Sequence, residues 1–260
     1  MRCPVCAASF ALRDGTLRCA NGHAFDVARQ GHVHLATGSR RLAGDTAEMI
    51  AARAAFLATG HYAPITRALA GHAAVDAPGV IVDVGAGTGQ HLAAVLDAHP
   101  ARIGIALDSS TPAMRRAARA HPRMAAVTCD AWDALPVADG AAAVVLSVFA
   151  PRGAAEIRRV LAPTGVVLAV TPTERHLAEL REPLGLLRTD PGKADRLAED
   201  LGLRERGRMP IEAELHLRAE EALLVARMGP AGHHDRAVAP LPGTVTATLS
   251  VELTVLSSGA

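Results

Sequence analysis

The run Val80-Ile-Val-Asp83-Val-Gly85-Ala-Gly87-Thr-Gly89 constrains the fold of this chain more than any other. An apolar, β-branched stretch ending in an acid describes a buried strand. Glycine at every second position after it describes a loop that turns sharply and brings its backbone against a ligand. A helix is expected from Gln90 to His99, and strand, glycine loop, helix is the opening unit of an α/β fold that binds a nucleotide-like cofactor. Two details set it apart from a dinucleotide site. The spacing is G-x-G-x-G, without the extra residue before the third glycine, and Asp83 stands two residues ahead of Gly85. A carboxylate there repels a pyrophosphate, yet it can hold the ammonium of a methionine moiety directly or through water. The reading is therefore an S-adenosylmethionine site with Asp83, Gly85, Gly87 and Gly89 in its first loop.

The next segments repeat the pattern. Ile103–Asp108 reads as a second strand whose terminal Asp108 accepts hydrogen bonds from ribose hydroxyls. Ala125–Asp130 reads as a third, with Asp130 placed to receive an adenine amino group and Cys129 a buried core thiol. Ala142–Phe149 is a fourth strand leading into Ala150-Pro151-Arg152, the loop expected to face a transferable methyl group. Phe149 there fits either stacking on a target base or plain core packing. A helix over 154–161, a turn at 162–165 and a strand over 166–170 continue the alternation, which calls for a Rossmann-like, doubly wound parallel sheet of the α/β class. Upstream, Asp45-Thr-Ala-Glu48 is a capping box opening a helix to about Ala58, and a second helix runs from Pro64 to Gly71, with His61-Tyr62 between them. Downstream, 174–187, 193–203 and 219–228 read as helical, and Thr244–Val255 as an antiparallel strand closing the sheet. With half of the residues hydrophobic but only 2% aromatic, the core must be built from Ala, Val and Leu.

A different chemistry opens the chain. Cys3-Pro-Val-Cys6 is a knuckle that faces two thiolates to one point, and Cys19-Ala-Asn-Gly-His23 can supply a third thiolate and an imidazole. Three cysteines and a histidine make a closed, structural Zn2+ set. Two short strands around Asp14-Gly15 fill the interval, and metal binding would supply the folding energy of so small a module. His32 and His34 are redundant as ligands and read as surface or RNA-contact residues. The division is thus a zinc-binding RNA-recognition module over 1–35, a linker with helices over 36–75, and a methyltransferase domain over 76–260. Net charge is +1, so no global field favours nucleic acid. Up to residue 44, however, six arginines face two aspartates, a local +4 that suits phosphates. No apolar run suits a membrane, the cysteines do not form a secreted disulfide framework, and the cytoplasm is the expected compartment.

In order along the chain, Cys-x2-Cys, Cys-x3-His-x-Phe25-Asp26-x-Ala28-x-x-Gly31, Asp45-Thr46-x-x-Met49-x-x-Ala52-Arg53, Gly60-His61-Tyr62, the glycine loop, Phe149-Ala150-Pro151 and Thr171-Pro172 with Arg175-His176-Leu177 resemble the RlmA family of 23S rRNA (guanine-N1)-methyltransferases. The resemblance is nearest to its Gram-positive branch, which includes tylosin-resistance methyltransferases. It implies that Cys3, Cys6, Cys19 and His23 bind zinc, and that Tyr62, the Gly87-Thr88 turn and His176 contact S-adenosylmethionine. It also implies methylation of N1 of a guanosine in hairpin 35 of 23S rRNA, with resistance to tylosin-type macrolides, and it admits a homodimer. Asp133, His176 and backbone carbonyls around Phe149–Pro151 are candidates to meet the guanine edge, with no catalytic base identified. Two rival readings are a small-molecule methyltransferase of antibiotic biosynthesis and a non-catalytic S-adenosylmethionine-binding RNA factor.

Overall fold

The computed structural model describes residues 1–37, 44–150, 153–229 and 241–259. Most of the basic connection after the zinc module, Pro151, Arg152 and the Ala231-Gly-His-His234 segment lie outside the described residues.

At the N-terminus β1 (Phe10–Arg13), β2 (Thr16–Cys19) and β3 (Ala24–Asp26) form a three-stranded antiparallel sheet in that order. Asp14 and Gly15 carry positive φ of 49° and 73°, which gives the two-residue hairpin expected of an Asp-Gly pair. The chain then forms β4 (His32–His34), α1 (Ala47–Ala58), α2 (Ala63–His72), β5 (Val80–Val84), α3 (Gln90–Ala98), β6 (Gly104–Asp108), α4 (Thr111–Ala117), β7 (Met124–Thr128), β8 (Ala142–Val148), α5 (Ala154–Val160) and β9 (Leu161–Pro172). It ends with α6 (Ala178–Leu184), α7 (Leu197–Leu201), β10 (Arg204–Arg218), α8 (Ala219–Met228) and β11 (Thr244–Ser257).

The second sheet has eight strands in the order β10-β11-β9-β8-β5-β6-β7-β4. The strands from β9 to β4 run parallel, and β11 enters antiparallel beside β9, as the β-prone C-terminal stretch suggested. One face packs against α3 and α4 through Leu92, Val95, Leu96, Met114 and Ala117. The other packs against α5 and α7 through Ile157, Val160, Leu197 and Leu201. This is the doubly wound arrangement the alternation demanded.

Several local expectations are corrected. The turn at 162–165 is absorbed into β9 as a register irregularity opposite Ala142–Val144, and a Cβ at Gly165 would stand 2.8 Å from the Ala142 carbonyl oxygen. The helices of 174–187 and 193–203 shrink to α6 and α7, which end at Gly185 and Gly202 in the left-handed conformation. An unforeseen fifteen-residue strand, β10, pairs along nearly all of β11. Pro210 is tolerated in it because it is an edge strand.

The zinc module is joined to the large sheet rather than merely tethered to it. His32–His34 pairs in parallel with Ala126–Thr128, and the Leu35 N–H donates to the Thr128 carbonyl at 2.9 Å. No helix connects β7 to β8, and Leu17, Val33 and Leu35 complete the apolar cluster on that face with Leu135 and Val137. Burying each such side chain contributes about 1.5–3 kcal/mol. Arg2 fastens the seam: its N–H donates to the Pro136 carbonyl at 3.1 Å, and its guanidinium meets Asp139 at 3.0 Å. His32 is therefore buried, which overturns its reading as a surface residue, whereas His34 is exposed.

Candidate functional site

Cys3, Cys6, Cys19 and His23 converge, with one potential ligand atom from each within 4.8 Å of all the others. Gly22, at φ 84°, turns the second knuckle so that its N–H donates to the Cys19 carbonyl at 3.1 Å. Cys6 Sγ and Cys19 Sγ are 3.7 Å apart, and His23 Nδ1 lies 3.6 Å from Cys3 Sγ and 3.4 Å from Cys19 Sγ. Ordinary Zn–S and Zn–N bond lengths in a tetrahedron require about 3.8 Å between sulfurs and about 3.6 Å between sulfur and nitrogen. The four residues thus fit zinc in a closed, structural set. The Ala8 backbone N–H, hydrogen-bonded to the Cys6 thiol, lowers it to about 6, which favours the ligating thiolate.

The second centre lies at the C-terminal ends of β5, β6 and β7. Asp83 is buried, with burial first and the Asp108 charge second pushing its carboxyl up to about 7. Among the described residues no cationic side chain pairs with it. The glycine loop is pinned to the neighbouring strand end, since the Gly85 and Ala86 N–H groups both donate to the Leu107 carbonyl. Gly87 N–H donates to Asp108 Oδ2 at 2.9 Å, and Ser110 N–H to Asp108 Oδ1 at 2.8 Å. Asp108 is raised by burial, an effect these two donors oppose. Gly87 has φ 54°, and Gly89 has φ 76° as the N-cap of α3. A Cβ at Gly89 would press on Ala117 and Met124 Sδ, so this glycine lets the start of α3 pack closely on the end of α4 and the start of β7. Thr88 is buried, with its hydroxyl donating to Gln90 Oε1 at 3.0 Å. Asp130 is also buried and accepts from the Trp132 N–H at 3.0 Å. Two neighbouring carboxyls, one without a counter-ion, make a cleft electrostatically suited to a cationic ligand. S-adenosylmethionine, which carries an ammonium and a sulfonium, fits that requirement.

Tyr62 and His176, 114 residues apart in sequence, meet here, with Oη and Nε2 3.1 Å from one another. The Ser250 N–H donates to His176 Nδ1 at 3.3 Å, so Nδ1 is the acceptor and Nε2 carries the hydrogen that Tyr62 accepts. Burial holds His176 neutral, with its pKa depressed to about 4, and raises that of Tyr62. The Tyr62 hydroxyl hydrogen then has no acceptor among the described residues and is free for a ligand. Both nitrogens of His176 are engaged, which rules it out as a proton acceptor from guanine. Phe149 stacks on His176 at 5.5 Å with 23° between rings. It is 39% exposed, so the core reading of Phe149 fails. Its φ of 54°, rare for a non-glycine residue, marks strain at the end of β8. Cys129 is buried and raised to about 12, as expected of a core thiol, and Asp133 stays on the exposed loop.

Sequence reasoning gave Arg53 no role beyond a motif position. The structure sets it over the glycine loop, where a Cβ on Gly87 would lie 3.3 Å from Arg53 Nη1. Its guanidinium pairs with Asp45 at 2.6 Å and donates to the Met228 carbonyl at 2.8 Å. The eight-residue spacing of Asp45 and Arg53 was the available signal, but it did not show that the pair covers the glycines.

Comparison with known proteins places these features in context. The family model described as RlmA, N-terminal, a zinc ribbon, matches residues 1–36, and a methyltransferase-domain model matches 81–165. The 23S rRNA (guanine(748)-N(1))-methyltransferase of Streptomyces fradiae is 50% identical over 98% of this chain and 95% of its own. A relative from Micromonospora griseorubida, provisionally named a 23S rRNA (guanine-N(1)-)-methyltransferase, is 50% identical over 97% of this chain and 95% of its own. Among solved structures, YcgJ of Bacillus subtilis superposes with a TM-score of 0.54 at 16% identity, over 77% of this chain and 100% of its own. That likeness speaks to the fold alone.

Proposed function

Because this chain belongs to the family of 23S rRNA (guanine-N1)-methyltransferases with an RlmA-type zinc ribbon, we propose that it methylates N1 of a guanosine in the hairpin 35 loop of 23S rRNA. The observation that carries the cofactor half of this reading is the buried, unpaired Asp83 beside Asp108 under the glycine loop. When bound, S-adenosylmethionine supplies an electrophilic methyl group on its sulfonium. In this reading Asp83 holds the ammonium, Asp108 the ribose hydroxyls and Asp130 the adenine amino group. The free hydroxyl hydrogen of Tyr62, fixed in direction by His176, donates to the same ligand.

Methyl transfer forms the N1–carbon bond and breaks the carbon–sulfur bond, and the N1 proton leaves for water. N1 lies on the Watson–Crick edge, so the guanine must be unpaired. His176 cannot take that proton because both its nitrogens are engaged, and in this reading positioning beside Phe149 supplies the main contribution to the rate. The ribbon over 1–35 grips RNA in this scheme. Arg13, Arg18 and Arg29 are exposed and form no ion pair among the described residues, which leaves them for phosphates. The seat of this activity is the cytoplasm, and no helix of the described residues is long and apolar enough to cross a membrane. The biological result we propose is resistance to tylosin-type macrolides, exercised with or without a homodimer.

Expression in a sensitive host, followed by mapping of reverse-transcription stops on 23S rRNA, tests the reading. A stop in the hairpin 35 loop with raised tylosin tolerance is expected. A stop without tolerance removes the resistance role, and no stop anywhere in 23S rRNA removes the substrate.

A further inference from the structure

We infer that Trp132 is a stacking platform for an unpaired RNA base next to the target guanosine. The inference rests on the RNA substrate proposed above. Trp132 is the only tryptophan of the chain. It is 61% exposed, although an aromatic ring of this size ordinarily buries most of its surface. In a chain with so few aromatic residues, Trp132 and Phe149 are the two Phe, Tyr or Trp side chains left exposed, and the remaining four are at least partly buried. Both sit just past the C-terminal ends of parallel strands, β7 and β8, where ligands of open α/β sheets bind.

The Trp132 backbone is held in place. Its N–H donates to Asp130 Oδ1, and the Asp133 N–H donates to the Asp130 carbonyl at 3.3 Å. The preceding residue, Ala131, brings its carbonyl oxygen to 2.8 Å from where a Cβ of Gly153 would stand. The loop after β7 therefore lies against Gly153 at the start of α5, and only glycine there lets the two approach so closely. The loop bearing Trp132 is thus braced on the start of α5, the helix that follows the exposed Phe149 in the chain. On its other side β7 pairs with β4, the strand that comes directly from the zinc ribbon. The connection that carries Trp132 also touches the ribbon further on, where the Pro136 carbonyl accepts from the Arg2 N–H and Asp139 meets the Arg2 guanidinium.

An exposed ring on a fixed backbone is a sequence-tolerant surface for a splayed-out base, because every base offers a π-face. The adenine of the cofactor is the other flat partner available. The candidate cofactor residues Asp83, Thr88 and Asp130 are no more than 8% exposed, so an adenine among them is enclosed, whereas the surface left open at Trp132 needs a partner that stays outside.

Being the sole tryptophan, Trp132 reports its own contacts. Intrinsic fluorescence of the full-length, zinc-loaded protein should be quenched by a hairpin 35 RNA, but not by S-adenosylhomocysteine alone or by the same RNA annealed to its complement. Trp132→Ala should raise KM for the hairpin about tenfold with kcat within about twofold, and Trp132→Phe should recover most of the loss. Calorimetric affinity for S-adenosylhomocysteine should not change in either variant. Quenching by S-adenosylhomocysteine alone would reassign the ring to the adenine and overturn the inference. An unquenched wild type that still methylates the hairpin would overturn it too. A wild type that methylates no RNA would instead remove the substrate reading and this inference with it.

Discussion

Asp83 makes the cofactor affinity of this protein depend on pH in a calculable way. Its carboxyl is raised from 3.8 to about 7, first by burial and then by the charge of Asp108. An acid raised in the folded state binds more protons folded than unfolded. The free protein is therefore favoured while Asp83 is protonated, and it loses that stability as pH rises from the ordinary carboxylate range through about 7. At full ionisation the loss is about 4 kcal/mol, taking 1.36 kcal/mol per pKa unit. A ligand ammonium needs the ionised carboxylate, so the apparent dissociation constant scales as one plus the ratio of protonated to ionised Asp83. That ratio makes S-adenosylmethionine bind about eightfold more weakly at pH 6 than at pH 7.5, with release of about 0.9 proton per ligand at pH 6. At pH 7.5 the ligand α-amino group, with a reference pKa of about 7.7–8.0, has lost about a quarter to two-fifths of its own charge, which trims that contrast to about five- to sixfold. His91 and His176 are held down to about 4 and stay neutral throughout. Calorimetry without RNA, in buffers of different ionisation enthalpy, measures both quantities. Asp83→Asn should bind about tenfold or more weakly at pH 7.5, as loss of a charge-assisted hydrogen bond requires, and should lose the rise in affinity with pH. A flat wild-type profile from pH 6 to 7.5, or an unaltered slope in the variant, would refute the reasoning.

Gly87→Val should abolish S-adenosylmethionine binding in a protein that still folds, because a branched side chain at φ 54° meets Arg53 and covers the loop backbone; calorimetry and circular dichroism together check this. Metal analysis should give about one zinc per chain, and Cys19→Ser should lose it. Because the ribbon completes the core beside β7, that variant should also unfold at a lower temperature in the methyltransferase domain, which differential scanning calorimetry reads. Leu17→Ala, which hollows the same seam, should cost about 2–4 kcal/mol in urea unfolding. Tyr62→Phe should leave the buried His176 Nε2–H without its acceptor, destabilising the protein by about 1–3 kcal/mol and weakening cofactor binding in the same calorimetric assay.

The sequence by itself determined whatever depends on residues close together along the chain. The C-x2-C knuckle and the Asn21-Gly22 turn set the zinc ligands, and the Asp14-Gly15 hairpin follows from two residues that tolerate positive φ. The Asp83-to-Gly89 run and the alternation of apolar strands with helices set the doubly wound sheet and its cofactor end. Tertiary structure alone decided what depends on partners far apart. His32–His34 is too short to read as a strand, and it becomes one only because β7 offers an open edge. β10 was hidden because, at the opposite edge, its outward face is charged and its alternation is broken by Gly207 and Pro210. The ribbon's place as the missing layer between β7 and β8 follows from an apolar sheet face that no crossover helix covers. Likewise, nothing local joins Tyr62 to His176 or lays Arg53 over Gly87. Those contacts arise when the chain ends of parallel strands gather at one edge, because burial rewards total apolar area without regard to separation along the chain.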